Sequence, residues 1–177
     1  MFPFIFMLYK KLIKLLLFVD QKLRKCRYVP ISFLHKFDYL VSFILKFIHK
    51  RIGYPTPSLV GEKISSDFGI LLAHCPDIDF IDLCVKEAQE KGVEDTKTLT
   101  RLIDKSRIKK GKKQIWGNIV KTYKKNGKLV TAPMPLEFPD EVAELREKAG
   151  LGPLSDYLVV AEKLFIKIHR KGTLKDE

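Results

Sequence analysis

Six side chains of metal-ligating type, His74, Cys75, Asp77, Asp79, Asp82 and Cys84, fall within eleven positions of this chain. Tetrahedral zinc sites take their Cys and His ligands at characteristic pair spacings, and this run does not have them. Asp79 and Asp82 also stand where the start of a helix favours acids, through capping and the helix dipole. Asp77-Ile78-Asp79 reads either as an acid pair for a divalent ion or as ordinary helix-start chemistry. His35 and His49 are expected on the polar side of a helix, solvated. No GxSxG, P-loop, HExxH or GxGxxG pattern occurs, so no self-sufficient active site is legible. The tail is the other place with chemistry. Ile168-His169-Arg170-Lys171-Gly172 has the basic last turn and glycine stop of many helices. It also has the two things needed to grip a diphosphate oxygen: a fixed cation in Arg170, and at Gly172 a backbone N–H with no side chain in the way.

The elements that position these groups start with a concentrated charge. Residues 1–52 hold eleven Lys and Arg against two acids, Asp20 and Asp38, and so carry nine of the twelve net positive charges of the 177-residue chain. The same segment is rich in Phe, Leu and Ile. Basic charge interleaved with large apolar groups at helical spacing points to an anionic membrane surface more than to nucleic acid. In 31–52, Phe33, Leu34, Phe37, Leu40, Val41, Ile44, Leu45 and Ile48 recur at steps of three and four. His35, Lys36, Asp38, Ser42, Lys46, His49 and Lys50 fill the other face. In 4–25, Leu8, Leu12, Leu15, Leu16, Val19 and Leu23 form one stripe, with the lysines mostly opposite. Pro30 separates two helices and gives a hairpin over 1–52. Lysines interrupt the first arm, so neither arm has the ~18 uncharged apolar residues of a clean spanning helix. A cleaved signal peptide is not expected, since no basic stretch precedes the apolar run and no small-residue cleavage site follows it.

The rest of the chain is nearly balanced in charge and reads as a small α/β body. Residues 53–66, with Pro55 and Pro57, have linker composition. Residues 69–73 (Gly-Ile-Leu-Leu-Ala) form a compact apolar run typical of a buried strand. Phe80, Ile81, Cys84, Val85 and Ala88 then give the inner face of a helix stopped by Gly92, completing a βα unit. Residues 96–103 fit a strand or a helix, and 109–113 a basic loop. Residues 115–123 are expected to be a helix ending at Asn126-Gly127, 129–132 a short strand, 140–149 a helix, and 155–169 a last helix capped by Ser155. Cys26, Cys75 and Cys84 form no CxxC pair and read as reduced structural thiols in a cytosol-facing protein.

Taken together, the terminal Arg170-Lys171-Gly172, the Tyr54-Pro55-Thr56-Pro57-Ser58-Leu59-Val60 stretch, and Asp67-Phe68-Gly69-Ile70-Leu71-Leu72 before Asp79-Phe80-Ile81-Asp82-Leu83 resemble the Nogo-B receptor family. Its members are the non-catalytic subunits of eukaryotic dehydrodolichyl diphosphate synthase, a cis-prenyltransferase. The resemblance implies an α/β fold, a shortened cis-prenyltransferase-like body with a few-stranded, mostly parallel sheet flanked by helices over 67–177. Behind the hairpin at 1–52 and the linker at 53–66, that body would carry no catalysis of its own. Where the catalytic family has Asp-Gly-Asn-x-Arg, this chain reads Ala73-His74-Cys75-Pro76-Asp77. Arg170 and Gly172 would instead complete the active site of a catalytic cis-prenyltransferase partner, helping to orient isopentenyl diphosphate, with Mg²⁺ held mainly by that partner. The implied setting is dolichol synthesis for protein glycosylation at the endoplasmic reticulum membrane. No nucleic-acid partner is expected. The alternative weighed against this is a basic DNA-binding protein, either a helix-turn-helix over 98–106 and 114–123 or a ribbon-helix-helix over 139–150 and 154–169.

Overall fold

A computed structural model describes residues 2–26 and 28–168. Among them the chain forms eight helices and a single two-stranded antiparallel sheet. The expected mostly parallel sheet is not formed, and the cis-prenyltransferase-like body is corrected to a largely helical one. The chain divides into two compact units, one running to Leu102 and the other starting at Ile103.

The first unit is built around α4 (Glu62–Leu72), which α1 (Phe2–Lys25), α2 (Ile31–Ile52) and α3 (Pro57–Val60) all contact. The apolar run at 69–73 that suggested a strand lies in α4 and its cap. Ile64, Phe68, Leu71 and Leu72 follow one another at helical steps and are all buried, so the burial period is that of a helix. Gly69 misleads in the sequence because glycine weakens a helix by about 1 kcal/mol relative to alanine. Its reason is close approach: a Cβ built there would lie 2.3 Å from Thr98 Cγ2. Thr98 belongs to α6 (Thr96–Lys109), which resolves the strand-or-helix ambiguity at 96–103. Asp95 opens that helix by accepting from Thr98 N at 3.1 Å and Thr98 Oγ1 at 2.7 Å. The helix expected after Pro76 is present as α5 (Ile78–Glu90), with Phe80, Ile81, Cys84, Val85 and Ala88 inward as anticipated. Asp77 is its cap, accepting from Phe80 N at 2.9 Å. Residues 53–66 hold α3 and the first turn of α4. Pro57 sits in the first turn of α3, where its missing N–H is harmless. Tyr54 packs edge-on against Phe68 at 5.7 Å, and burial pushes its hydroxyl up to about 12.

In the second unit, β1 (Val120–Lys125) and β2 (Lys128–Pro133) form a hairpin in register from Val120 opposite Pro133 to Lys125 opposite Lys128. The helix expected over 115–123 is corrected: those residues are a loop followed by β1. Asn126 and Gly127 have φ of +52° and +74°, the paired positive values of a tight hairpin turn. Asn-Gly after an apolar segment is a hairpin signal at least as much as a helix stop. The helix-turn-helix alternative loses its second helix by the same finding. The helix expected over 140–149 is the shorter α7 (Val142–Lys148). The last helix, α8 (Leu154–Ile168), packs on the hairpin. Ser155 lies inside its first turn instead of capping it, with Oγ 3.4 Å from Asp156 Oδ1.

Candidate functional site

Among the described residues, the outward faces of α1 and α2 expose many large apolar side chains. On α1 they present Met7, Leu8, Leu15 and Phe18 beside Lys11, Lys14, Lys22 and Lys25. On α2 they present Phe33, Tyr39, Leu40, Phe43 and Phe47 beside Lys36, Lys50 and Arg51. Phe18 is 61 % exposed and Phe43 71 %. The basic groups lie along the rings: Lys22 Nζ is 5.5 Å from the Phe18 centroid, and Arg51 Cζ 5.4 Å from that of Phe47. On α1 the buried side is Tyr9, Ile13, Leu16 and Asp20, so Leu8 and Leu15 of the expected stripe face outward, whereas on α2 the expected stripe is mostly retained. On α2 the buried residues are Val41, Ser42, Leu45 and Ile48, while Phe33 and Leu40 of the stripe look outward with Tyr39, Phe43 and Phe47. Ser42 is drawn inside by Cys75, whose Sγ lies 3.0 Å from Ser42 Oγ.

The inward faces hold a charge cluster. Asp20 is 1 % exposed and accepts from Gln21 Nε2 at 3.0 Å and Arg24 Nε at 2.9 Å. Arg24 Nη2 reaches across to Asp38 on α2. His74, in the turn after α4, brings Nδ1 to 3.2 Å from Asp20 Oδ2. Burial pushes the Asp20 carboxyl up. The contact with His74, together with the charges of His74 and Arg24, outweighs this and holds the group below its usual 3.8. At Asp38 the balance is reversed: burial dominates, the Arg24 charge offsets only part of it, and the carboxyl is raised. A carboxylate beside a part-exposed imidazole is general-base chemistry in form. What the cluster shows here is mechanical, since it ties α1, α2 and the end of α4 together through charge. Asp20 and Asp38 are the only acids among the first 52 residues, and that solitary pairing was the signal in the sequence.

The six candidate ligands between His74 and Cys84 are dispersed rather than gathered. His74 turns to Asp20, Cys75 to Ser42, and Asp77 caps α5 while bonding Lys46, which with the Phe80 N–H holds its carboxyl low. Cys84 is enclosed in apolar surroundings that push its thiol up. Among the described residues no group of three or more His, Cys, Asp or Glu is placed to hold a metal ion. His49, expected to be solvated, packs edge-on against Phe80 and meets Glu87 Oε1 at 3.0 Å, and Glu87 also accepts the Tyr54 N–H at 2.9 Å. Cys26 is exposed, and Cys75 and Cys84 are buried. Arg170 and Gly172 lie outside the described residues.

In the second unit four polar side chains hold one loop. Asp104, fully buried, accepts from the backbone N–H groups of Ile115 at 2.7 Å, Trp116 at 3.2 Å and Asn118 at 3.0 Å. Gln114, also fully buried, donates to Ile119 O and Met134 O and accepts from Ile119 N. Arg146 donates to Trp116 O and Gly152 O, and Tyr157 donates its hydroxyl to Asn118 O. These residues fix the backbone shape of that loop.

Residues 35–168 match a family described as "Family of unknown function (DUF6624)". The chain belongs to that family. No curated protein and no solved structure matches the chain. The DUF6624 region opens within α2 and runs through α8, so it includes Asp38 and His74 of the charge cluster, while Asp20 and Arg24 come from α1, ahead of it.

Proposed function

We propose that this DUF6624 protein attaches peripherally to anionic membrane surfaces through the outward faces of α1 and α2. The observation that carries this reading is the combination of exposed Phe18, Phe33, Tyr39, Phe43 and Phe47 with interleaved Lys and Arg on the same faces. Such faces lie in the headgroup region, with apolar rings in the acyl boundary and ammonium groups among lipid phosphates. Each fully buried large apolar side chain contributes about 1.5–3 kcal/mol, and each basic residue near an anionic surface about 1 kcal/mol. Among the described residues no helix is long and apolar enough to cross a membrane, which fits lying on the surface. The resemblance to a cis-prenyltransferase subunit rested on 54–60, on a first strand and helix within 67–83, and on Arg170 and Gly172. The expected strand is helix, and Arg170 and Gly172 lie outside the described residues, so the membrane reading is argued from α1 and α2 alone.

The test is co-sedimentation with vesicles of phosphatidylcholine, with and without phosphatidylserine, at low and high salt. Binding should require the anionic lipid and weaken with salt. Phe43→Ser combined with Phe47→Ser should weaken binding by about tenfold or more, from the lost apolar burial, with an unchanged circular dichroism spectrum. Equal binding by wild type and variant would refute the assignment. So would a discrete dimer in vesicle-free buffer that the same substitutions dissociate, since the face would then belong to a second copy.

A further inference from the structure

We propose that the groove between α1 and α4 binds the phosphomonoester headgroup of an anionic lipid. The proposal rests on the membrane-surface reading and adds a headgroup preference to it. The groove encloses 460 Å³. Lys14, Lys22 and Lys25 of α1 and Lys63 of α4 line it, against the single acidic residue Asp67. Asp67 is buried and already paired with Lys63 at 3.5 Å, so three positive charges remain in excess. Like charges on neighbouring turns repel, and a bound anion removes that cost. The apolar part of the wall is Leu17 and Phe18.

Two features select a lipid phosphomonoester. The first is continuity. Phe18 and Lys22 line the groove and also belong to the outward face of α1, so a headgroup can enter the groove while its acyl chains stay against Leu15 and Phe18. A free phosphate makes no use of that apolar rim. The second is charge and geometry. A phosphomonoester carries about −1.5 to −2 charges with three acceptor oxygens, and each ammonium group offers three donors. Four lysines lining one groove suit that dense anion, whereas diffuse attraction to singly charged lipids needs no groove.

The experiment measures binding of the full chain to phosphatidylcholine vesicles doped with phosphatidic acid or with phosphatidylserine, matched in zeta potential. Phosphatidic acid should bind about tenfold more tightly, the worth of roughly one additional strong contact. Lys14→Gln with Lys25→Gln should abolish the preference. Lys36→Gln with Lys50→Gln, which removes the same charge from α2, should lower both affinities equally and keep it. Equal affinity at matched potential, or a preference lost in both double variants, overturns the headgroup site and leaves the membrane reading standing. Binding to neither vesicle overturns both. Glycerol 3-phosphate competing at concentrations comparable to the lipid would assign the groove to a soluble phosphomonoester and overturn the lipid proposal.

Discussion

Replacing Asp104 should be among the most damaging single changes in the second unit. Its carboxylate is fully enclosed and takes the N–H groups of Ile115, Trp116 and Asn118 at 2.7–3.2 Å. Hydrogen bonds to a charged acceptor contribute about 1.5–3 kcal/mol net, and a buried donor left without a partner costs about 1–3 kcal/mol. Three donors lose their acceptor together in Asp104→Ala. Allowing for incomplete additivity and some entry of water, the loss should be about 4–6 kcal/mol. That approaches the whole stability of a typical small domain, about 5–15 kcal/mol. Asp104→Asn keeps one oxygen but turns an amide toward an N–H, and should cost about half as much. The readout is built in: Trp116 is the chain's only tryptophan, and its own N–H is one of the three donors. Urea unfolding followed by tryptophan fluorescence should show the transition displaced in the order wild type, Asn, Ala. An alanine variant losing under about 1 kcal/mol would show that water replaces the carboxylate at no cost, and the reasoning would fail.

Two further predictions concern the first unit. Asp20→Asn should destabilise by about 2–3 kcal/mol at neutral pH, because Arg24 and His74 lose a buried partner, while Asp38→Asn should cost less than about 1 kcal/mol. The sign follows from the shifts. The carboxyl of Asp20 is lowered in the fold, so its stabilisation is present above 3.8 and lost as pH falls through the lower folded value. Asp38 is raised, so its ionised form costs stability at neutral pH and its protonation above 3.8 relieves that cost. Acid titration of thermal stability for both variants checks this, and equal effects would contradict it. Gly69→Ala should destabilise despite alanine's better helix propensity, since the new Cβ meets Thr98 Cγ2 at 2.3 Å. Thr98→Ser removes that methyl while keeping the hydroxyl bond to Asp95, so it should recover most of the loss, and a double-mutant cycle without coupling would exclude the clash.

Periodicity in the sequence determined the two arms ending before and starting after Pro30, the inner face of α5, and the short strand β2, because these features are local and their burial follows one repeat. It also placed the basic and apolar surplus in the first 52 residues, which is the substance of the membrane reading. It did not distinguish a helix from a strand at 69–73, since a short apolar run fits both, and a glycine kept for Thr98 looks like a turn residue. On α2 it placed Val41, Leu45 and Ile48 on the inward side, but it did not show that Ser42 would be buried beside them, since that depends on Cys75 from the turn after α4. Likewise, Asp20, Asp38 and His74 are separated along the chain by far more than a helical turn, so no spacing rule joins them. Packing of α1 and α2 against α4 brings them together, and the cost of burying a charge without a partner keeps them there.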